Sequence, residues 1–131
     1  MVYMKYSKQR EMIYNCIMDN PMHLTADAIY EILKKDNPNL SLGTVYRNLS
    51  QLADHNMIKK VSIPGYPDRF DGTLDDHFHF LCLECGEIHD LFIQELYGIG
   101  SIVEQAVGVD VAKCEMTFKG TCPKCKSKHV N

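Results

Sequence analysis

The sequence contains no apolar run of the roughly 18–20 residues needed to cross a bilayer, and residues 1–5 lack the long apolar stretch of a signal peptide. It also has no internal repeat, no low-complexity tract, no glycine-rich cofactor loop and no nucleophile motif. These absences argue against a membrane protein, a secreted protein and a metabolic enzyme. We therefore expect a cytoplasmic protein without a membrane partner. Because 45% of its 131 residues are hydrophobic, we expect a packed core rather than disorder.

Charge is distributed unevenly along the chain. The net charge of −3 argues, taken alone, against a nucleic-acid-binding protein. Residues 1–67, however, carry eight Lys and Arg against six Asp and Glu, whereas residues 68–131 carry six against eleven. A mildly basic first half could contact phosphates, and an acidic second half suits metal ions. Chance asymmetry in surface charge is the alternative explanation.

The first half predicts three helices, because apolar residues recur there at helical spacing. The three stripes are Met12, Ile13, Cys16 and Ile17; Ala28, Ile29, Ile32 and Leu33; and Leu42, Val45, Leu49 and Leu52. Breaks at residues 20–21 and 37–39 separate the helices, and Thr25 and Ser41 are predicted N-caps. The face of the third helix opposite its stripe is wholly polar, with Thr44, Arg47, Asn48 and Gln51.

A β-hairpin follows the helices, with strands over residues 58–63 and 69–71 joined by a proline-glycine turn at 64–67. Three helices and a hairpin are the element order of a winged helix-turn-helix. We therefore predict a DNA-binding domain over residues 1–70, followed by a hinge over residues 71–76.

The second half predicts mainly strands, over residues 77–83, 88–92 and 112–119, with one helix that ends near residue 108. Strict alternation of apolar and polar residues over 112–119 predicts a sheet with one buried face. We expect an α/β dimerisation domain over residues 77–131, which makes the whole chain an α+β protein. Cys16 and Cys114 lie on apolar stripes and are predicted to be buried, unreactive thiols.

Two Cys-x-x-Cys pairs predict a structural zinc site. The pairs are Cys82 with Cys85 and Cys122 with Cys125, and 36 residues separate them. Together they offer four soft ligands for a closed tetrahedral Zn²⁺ site that ties the end of the domain to its first strand. Two disulfides or a thioredoxin-type redox pair are the alternatives. Disulfides are uncommon in the cytoplasm, and a redox pair needs no second partner pair.

Histidines and aspartates indicate a second metal site with harder donors. His77 and His79 alternate on a predicted strand, so both rings leave the same face. Asp71 lies at the hinge, Asp90 on the next predicted strand and His23 in a loop of the first half. Three imidazoles and two carboxylates suit Fe²⁺, Mn²⁺ or Zn²⁺, and an ion bound by all five would fix one domain against the other.

Each of these residues also has an ordinary structural alternative. A loop histidine is commonly solvated, a strand histidine is commonly hydrogen-bonded, and an aspartate beside a hinge commonly forms a turn. A different alternative for the set is a non-haem iron or hydrolytic enzyme, since two histidines and a carboxylate can form an open facial triad. Five candidate ligands leave little room for a substrate, and the polar third helix would go unexplained. We therefore expect no enzymatic activity.

Four segments and the second cysteine pair carry a family resemblance. The segments are Leu24–Tyr30, Gly43–Leu49, Asp68–Asp71 and His77–Gly86. With them, the chain resembles the ferric uptake regulator family of bacterial transcription factors over nearly its whole length. The resemblance implies a homodimeric, metal-dependent repressor with an N-terminal winged-helix domain and a C-terminal dimerisation domain.

Within the family, the chain is similar to the peroxide-sensing branch. That resemblance implies a regulatory Fe²⁺ or Mn²⁺ held by His23, Asp71, His77, His79 and Asp90. It also implies that peroxide reacts where Fe²⁺ is bound, adds an oxygen atom to the imidazole of His23 or His77, and so releases the metal and the DNA. Mn²⁺ should be far less reactive.

Two residues point to different branches of the family. Peroxide sensors carry Asp at the position of Asp90, where iron-uptake members usually carry Glu. Arg47 is common in the iron-uptake branch. The alternative function is therefore an iron-uptake repressor with Fe²⁺ as corepressor, or another metal-uptake repressor.

The resemblance also implies the DNA-binding residues and a double-stranded operator, expected to be an AT-rich inverted repeat. The residues are Lys8, Arg10, Ser41, Thr44, Tyr46 and Arg47. Tyr46 is expected to contact thymine methyl groups, and Arg47 a purine edge or a phosphate. The two hydroxyl residues suit phosphate anchoring at a helix N-terminus, and the two basic residues of the first helix could reach the minor groove or the backbone.

Replacing Arg47 by alanine should weaken operator binding by about 1–3 kcal/mol, because a charged contact to DNA is lost. The measurement is a titration of the metal-loaded protein with its operator at fixed salt, for wild type and variant in parallel. An unchanged affinity would count against this role of Arg47.

Overall fold

The computed structural model describes residues 5–74 and 77–129, and these belong to two compact units that divide along the chain between residues 75 and 76. The proposed hinge over residues 71–76 stays a prediction, because residues 75–76 lie outside the described residues. Asp71, its first residue, belongs to a strand of the N-terminal unit.

The N-terminal unit contains the three predicted helices, α1 (Lys8–Asp19), α2 (Ala26–Leu33) and α3 (Leu42–Asp54). The predicted caps are present: Thr25 Oγ1 accepts from the Ala28 N–H at 3.1 Å, and Ser41 Oγ accepts from the Thr44 N–H at 3.1 Å. The helices pack around a common apolar core, which includes Ile13, Ile17, Ile29, Val45, Leu49, Leu52 and Ile58.

A three-stranded antiparallel sheet completes this unit, with strands β1 (Leu24–Thr25), β2 (Lys59–Val61) and β3 (Arg69–Asp71) in the order β1-β3-β2. β2 and β3 form the predicted hairpin. β1 was not predicted, because two residues are too short to display any periodicity. Leu24 of β1 pairs with Phe70 of β3, which ties the loop between α1 and α2 to the hairpin.

The C-terminal unit has a second three-stranded sheet and two helices. Its elements are β4 (Phe78–Cys82), β5 (Ile88–Leu91), a 3-10 turn (Gln94–Gly98), α4 (Ile99–Val107), β6 (Thr117–Gly120) and α5 (Pro123–Ser127). β4 is the central strand, antiparallel to β5 and parallel to β6. The α+β fold class is therefore confirmed. None of the described helices is both long enough and apolar enough to span a membrane.

Four details of the prediction are wrong. Asn48 was placed on the exposed face of α3, but it is buried and its side chain donates to the Thr44 carbonyl at 2.8 Å. Ile32 was placed on the buried face of α2, but it is 41% exposed. The third predicted strand is shorter than expected and is confined to residues 117–120. Cys114 is exposed, because the segment before β6 buries neither of its faces within its own unit.

Candidate metal centres

The four cysteines of the two Cys-x-x-Cys pairs converge in the C-terminal unit. Their sulfur atoms all lie within 4.8 Å of one another. Cys82 ends the central strand β4, and Cys122 is the N-cap of α5, so the cluster joins the sheet to the last helix. After the first pair, the backbone reverses at Gly86, where φ is 77°. Glycine suits this position because it adopts positive φ values without steric cost. Phe80 packs against the cluster.

Backbone N–H groups point at these sulfurs and favour their ionised form. Cys82 Sγ accepts from the N–H groups of Cys85 at 3.5 Å and Cys122 at 3.4 Å. These hydrogen bonds lower the pKa of the Cys82 thiol to about 6. At Cys125, burial and then the adjacent sulfurs raise the pKa to about 12. Four thiolates this close repel one another unless a cation lies between them, so the donor set fits Zn²⁺.

The disulfide alternative has no support in the structure. All six cysteines are unpaired thiols within the described residues. The Sγ atoms of Cys85 and Cys122 lie 3.9 Å apart, whereas a disulfide joins its sulfurs at about 2.05 Å. Cys16 is buried as predicted, and burial, followed by the charge of Asp19, raises the pKa of its thiol. A protonated, buried thiol is a poor nucleophile, which agrees with an inert role.

The N-terminal unit holds one histidine–aspartate pair, formed by two buried residues. His23 Nε2 lies 3.2 Å from Asp71 Oδ2. The strand register explains the pairing, because His23 precedes Leu24 and Asp71 follows Phe70, the residue with which Leu24 pairs. Two further contacts hold the pair. Arg69 donates to the His23 carbonyl at 3.4 Å, and the second oxygen of Asp71 accepts from the Thr73 N–H at 2.9 Å.

His23 also has an unusual backbone conformation. Its φ of 56° lies in the left-handed region, which non-glycine residues seldom adopt. The β1–β3 pairing and the Arg69 contact hold the residue there, so that its imidazole stays buried beside Asp71 instead of reaching solvent, the ordinary position of a loop histidine. Strain of this kind persists where the surrounding structure over-determines it.

The C-terminal unit holds a second cluster, built on β4 and β5. One oxygen of Asp90 lies 2.9 Å from His77 Nε2 and 3.4 Å from His79 Nε2. Because His79 pairs with Asp90 across the two strands, these side chains leave the same face of the sheet. The ring of Phe92 stacks on His77 with 5.0 Å between centroids. His89 pairs with Phe80 and leaves the opposite face, as predicted.

The donors of the two clusters are imidazole nitrogens and carboxylate oxygens. They fit a borderline or hard divalent ion such as Fe²⁺ or Mn²⁺, and they differ in kind from the four sulfurs of the cysteine cluster. Each cluster brings a carboxyl group to one or two imidazoles whose side chains are largely shielded from water. Both clusters could therefore supply ligands to a metal ion.

Comparison with known proteins identifies the family of this chain. The model of the ferric uptake regulator family matches residues 2–119. The chain belongs to the ferric uptake regulator family. As a member of it, the chain is a metal-responsive transcriptional repressor, and proteins of this family are transcriptional regulators rather than enzymes. The matched range ends before Cys122, so the family match does not include the second cysteine pair, and the structure confirms the predicted grouping of that pair with the first.

Relatives in this family include both iron and peroxide regulators. The chain is 32% identical over 124 residues to the peroxide-responsive repressor PerR of Staphylococcus aureus, a match that covers 95% of this chain and 84% of that protein. The Helicobacter pylori ferric uptake regulator Fur, at 25% identity, superposes with a TM-score of 0.84 over 94% of this chain and 83% of that one. The Campylobacter jejuni peroxide stress regulator, at 28% identity, has a TM-score of 0.73 over 89% and 88%.

The six residues implied in DNA contact all lie in the N-terminal unit of this ferric uptake regulator family member. Ser41 Oγ lies 2.8 Å from Thr44 Oγ1, which in turn accepts from Arg47 Nη2 at 3.4 Å. Tyr46, on the same helix, is 50% exposed. On α1, Lys8 is exposed.

The last of the six, Arg10, donates from Nη1 to Gln51 Oε1 at 3.2 Å. The sequence places Gln51 on the polar face of α3 but indicates no role for it. The sequence signal that links Gln51 to Thr44 and Arg47 is its spacing, since it follows them by seven and four residues on one helix.

Cys125→Ser should abolish zinc retention, because one of the four thiolates is lost and the ion no longer links α5 to β4. The measurement is the zinc content of protein purified without added metal, together with thermal unfolding. We expect about one Zn²⁺ per wild-type chain and almost none in the variant, which should also unfold at a lower temperature.

Cys114→Ser is the matched control, because it makes the same change at an exposed thiol outside the cluster. It should keep its zinc. Equal zinc content in the Cys125 and Cys114 variants would contradict the assignment.

Proposed function

We propose that this family member is a peroxide-sensing repressor, in which Fe²⁺ held by His23, Asp71, His77, His79 and Asp90 makes the ligand histidines sensitive to oxidation. The main observation in support is that the two clusters, one in each unit, offer the same kinds of donor, namely imidazole nitrogens and carboxylate oxygens. The identity to PerR of Staphylococcus aureus supports the choice of branch. So does the short carboxylate at position 90, because one of its oxygens already contacts both histidines of β4.

One ion shared by the two clusters would couple metal binding to DNA binding. Each cluster alone offers too few donors for a closed site, since the N-terminal unit supplies two and the C-terminal unit three. A ligand that binds only one arrangement of the two units shifts the population toward it. We propose that this arrangement is the one that binds DNA, and that Mn²⁺ supports it as well as Fe²⁺.

Fe²⁺ held by these five residues would supply redox chemistry toward peroxide and would be ferrous again at the end of the net reaction. Peroxide would be the two-electron oxidant of the ring: one of its oxygen atoms would be added to an imidazole carbon of His23 or His77, and the other would leave as water. A ring carrying that oxygen is a weaker ligand. The side chains of His77 and His23 are only 1% and 5% exposed, so peroxide in bulk solvent would not reach these rings readily without a metal bound beside them.

DNA binding is proposed for the exposed face of α3. Ser41, Thr44 and Arg47 form a continuous hydrogen-bonded chain along this face. The helix N-terminus and the Ser41 hydroxyl suit a phosphate, and Arg47 lies two turns further along, where it could reach base edges in the major groove. We propose an AT-rich inverted repeat as the operator, because a dimer presents two copies of this face.

A second copy of the chain is the proposed partner of the C-terminal unit. No residue of α4 is buried within its own unit, although Ile102, Val103 and Val107 form an apolar stripe. Phe118 of β6 is also 43% exposed. Apolar surface of this extent is usual for a surface that another subunit covers, and members of the family are dimeric regulators.

Fe²⁺-loaded protein treated with low peroxide should gain one oxygen atom on the peptides that contain His23 and His77, and it should lose DNA affinity in proportion. Mn²⁺-loaded protein should change in neither respect, because Mn²⁺ does not readily reduce peroxide. Peptide mass spectrometry and DNA titration of the same samples are the measurements. His55 and His129, which lie outside both clusters, serve as internal controls.

Absence of added oxygen with Fe²⁺, combined with iron-dependent DNA binding, would instead support the iron-uptake alternative, in which Fe²⁺ acts only as corepressor. That alternative has one specific observation in its favour. Arg47 is the residue common in the iron-uptake branch, and its side chain lies on the exposed face of α3.

Ile102→Asp should shift the protein from dimer to monomer, because a charge is placed on apolar surface that must be desolvated in the interface. Sedimentation velocity measures the change. Ser101→Asp introduces the same charge one residue earlier, on the polar face of α4, and should remain dimeric. Identical sedimentation of wild type and the Ile102 variant would exclude α4 from the interface.

A further inference from the structure

Arg10 and Gln51 connect the first helix to the exposed face of α3. The two residues are 41 positions apart in sequence, and Arg10 Nη1 donates to Gln51 Oε1 at 3.2 Å. The second terminal nitrogen of Arg10 donates to the backbone carbonyl of Lys5. One guanidinium is thus held by two acceptors that lie on different segments of the N-terminal unit.

Gln51 lies on the same side of α3 as the residues proposed to meet DNA. It follows Arg47 by four positions and Thr44 by seven, which places the three side chains along one face of the helix. Arg10 is brought to this face although its own helix is α1. A guanidinium has five N–H donors, so the two bonds to Gln51 and Lys5 leave three N–H groups that those bonds do not use and that a phosphate could accept from.

We propose that Gln51 is a positioning residue, which holds the guanidinium of Arg10 beside α3 for contact with the DNA backbone. This inference rests on the proposed DNA contact of Arg10. A long arginine side chain that is mobile before binding loses much of its rotamer freedom when it meets a phosphate. Gln51 removes part of that loss in advance, because it restricts the side chain in the free protein. The amide contributes no charge and need not touch DNA itself.

A direct contact of Gln51 with an adenine edge is the competing explanation, because glutamine can form two hydrogen bonds to that base. The two explanations differ in how Gln51 depends on Arg10. A positioning residue has no effect once Arg10 is gone, whereas a base contact persists without it. They also differ in salt dependence, since only a phosphate contact changes the number of counterions released on binding.

The test is a double-mutant cycle on full-length Mn²⁺-loaded protein with Gln51→Met, Arg10→Met and the double variant. Methionine matches the length of glutamine and replaces the aliphatic stem of arginine, so the two changes remove the acceptor and the charge respectively. The DNA is a duplex that the wild-type protein selects from a random pool. Gln94→Met, the same change at an exposed residue of the C-terminal unit, is the control. Thermal unfolding and circular dichroism check that every variant is folded.

We expect Gln51→Met to weaken binding by about three- to tenfold, and Arg10→Met by at least as much. The double variant should bind as the Arg10 variant does. The slope of log affinity against log salt should become shallower by about 0.9 for each phosphate contact that Arg10→Met removes. Gln51→Met should move it in the same direction.

Full affinity in Gln51→Met would overturn the inference, and so would a loss that persists in the Arg10→Met background. Full affinity in Arg10→Met would overturn both the inference and the proposed contact of Arg10. If wild-type protein selects no duplex from the pool, the proposed operator binding fails instead, which is a separate outcome.

Discussion

Antiparallel strand pairing is the constraint on which the nitrogen and oxygen donors depend. The pairing of Leu24 with Phe70 puts His23 beside Asp71, and the pairing of His79 with Asp90 puts an aspartate beside two imidazoles. Backbone hydrogen bonds fix these neighbours without relying on long, mobile side chains. A shift of register by one residue would turn each ligand to the other face of its sheet. The short strand β1 matters for this reason, although it contributes little area to the core.

With the proposed ions bound, the two kinds of donor set would separate structural stability from regulation. The sulfur cluster joins β4 to α5 inside one unit, so an ion there stabilises that unit whatever happens elsewhere. The imidazole and carboxylate donors suit harder ions, which compete poorly for four thiolates. The chemistry of the ligands alone could therefore direct two different metals to the two kinds of site. A regulatory ion could leave its ligands while the C-terminal unit stays folded.

Strong local patterns were enough to predict the helices, the hairpin and the grouping of the four cysteines, because periodicity and Cys-x-x-Cys spacing are local features. Asn48 was misplaced, since helical spacing cannot reveal a side chain that bonds back to the Thr44 carbonyl. Cys114 was misplaced because alternation predicts an apolar face without saying which molecule covers it. The geometry at His23 was also invisible in the sequence, because it depends on a strand pairing across 46 residues and on a left-handed backbone.

A shared ion would make the proposed sensor responsive to damage on either side. His23 belongs to the N-terminal unit and His77 to the C-terminal unit, so oxidation of one ring weakens the link from its own side. Loss of a group that merely orients a metal ligand commonly lowers affinity about 10–100-fold, and loss of a ligand should cost more. Near-complete reversal of a two-state equilibrium needs about 10⁴-fold differential binding. One oxidised ligand could approach that value and two would exceed it, so the proposed targets in both units would make the loss of DNA binding more complete.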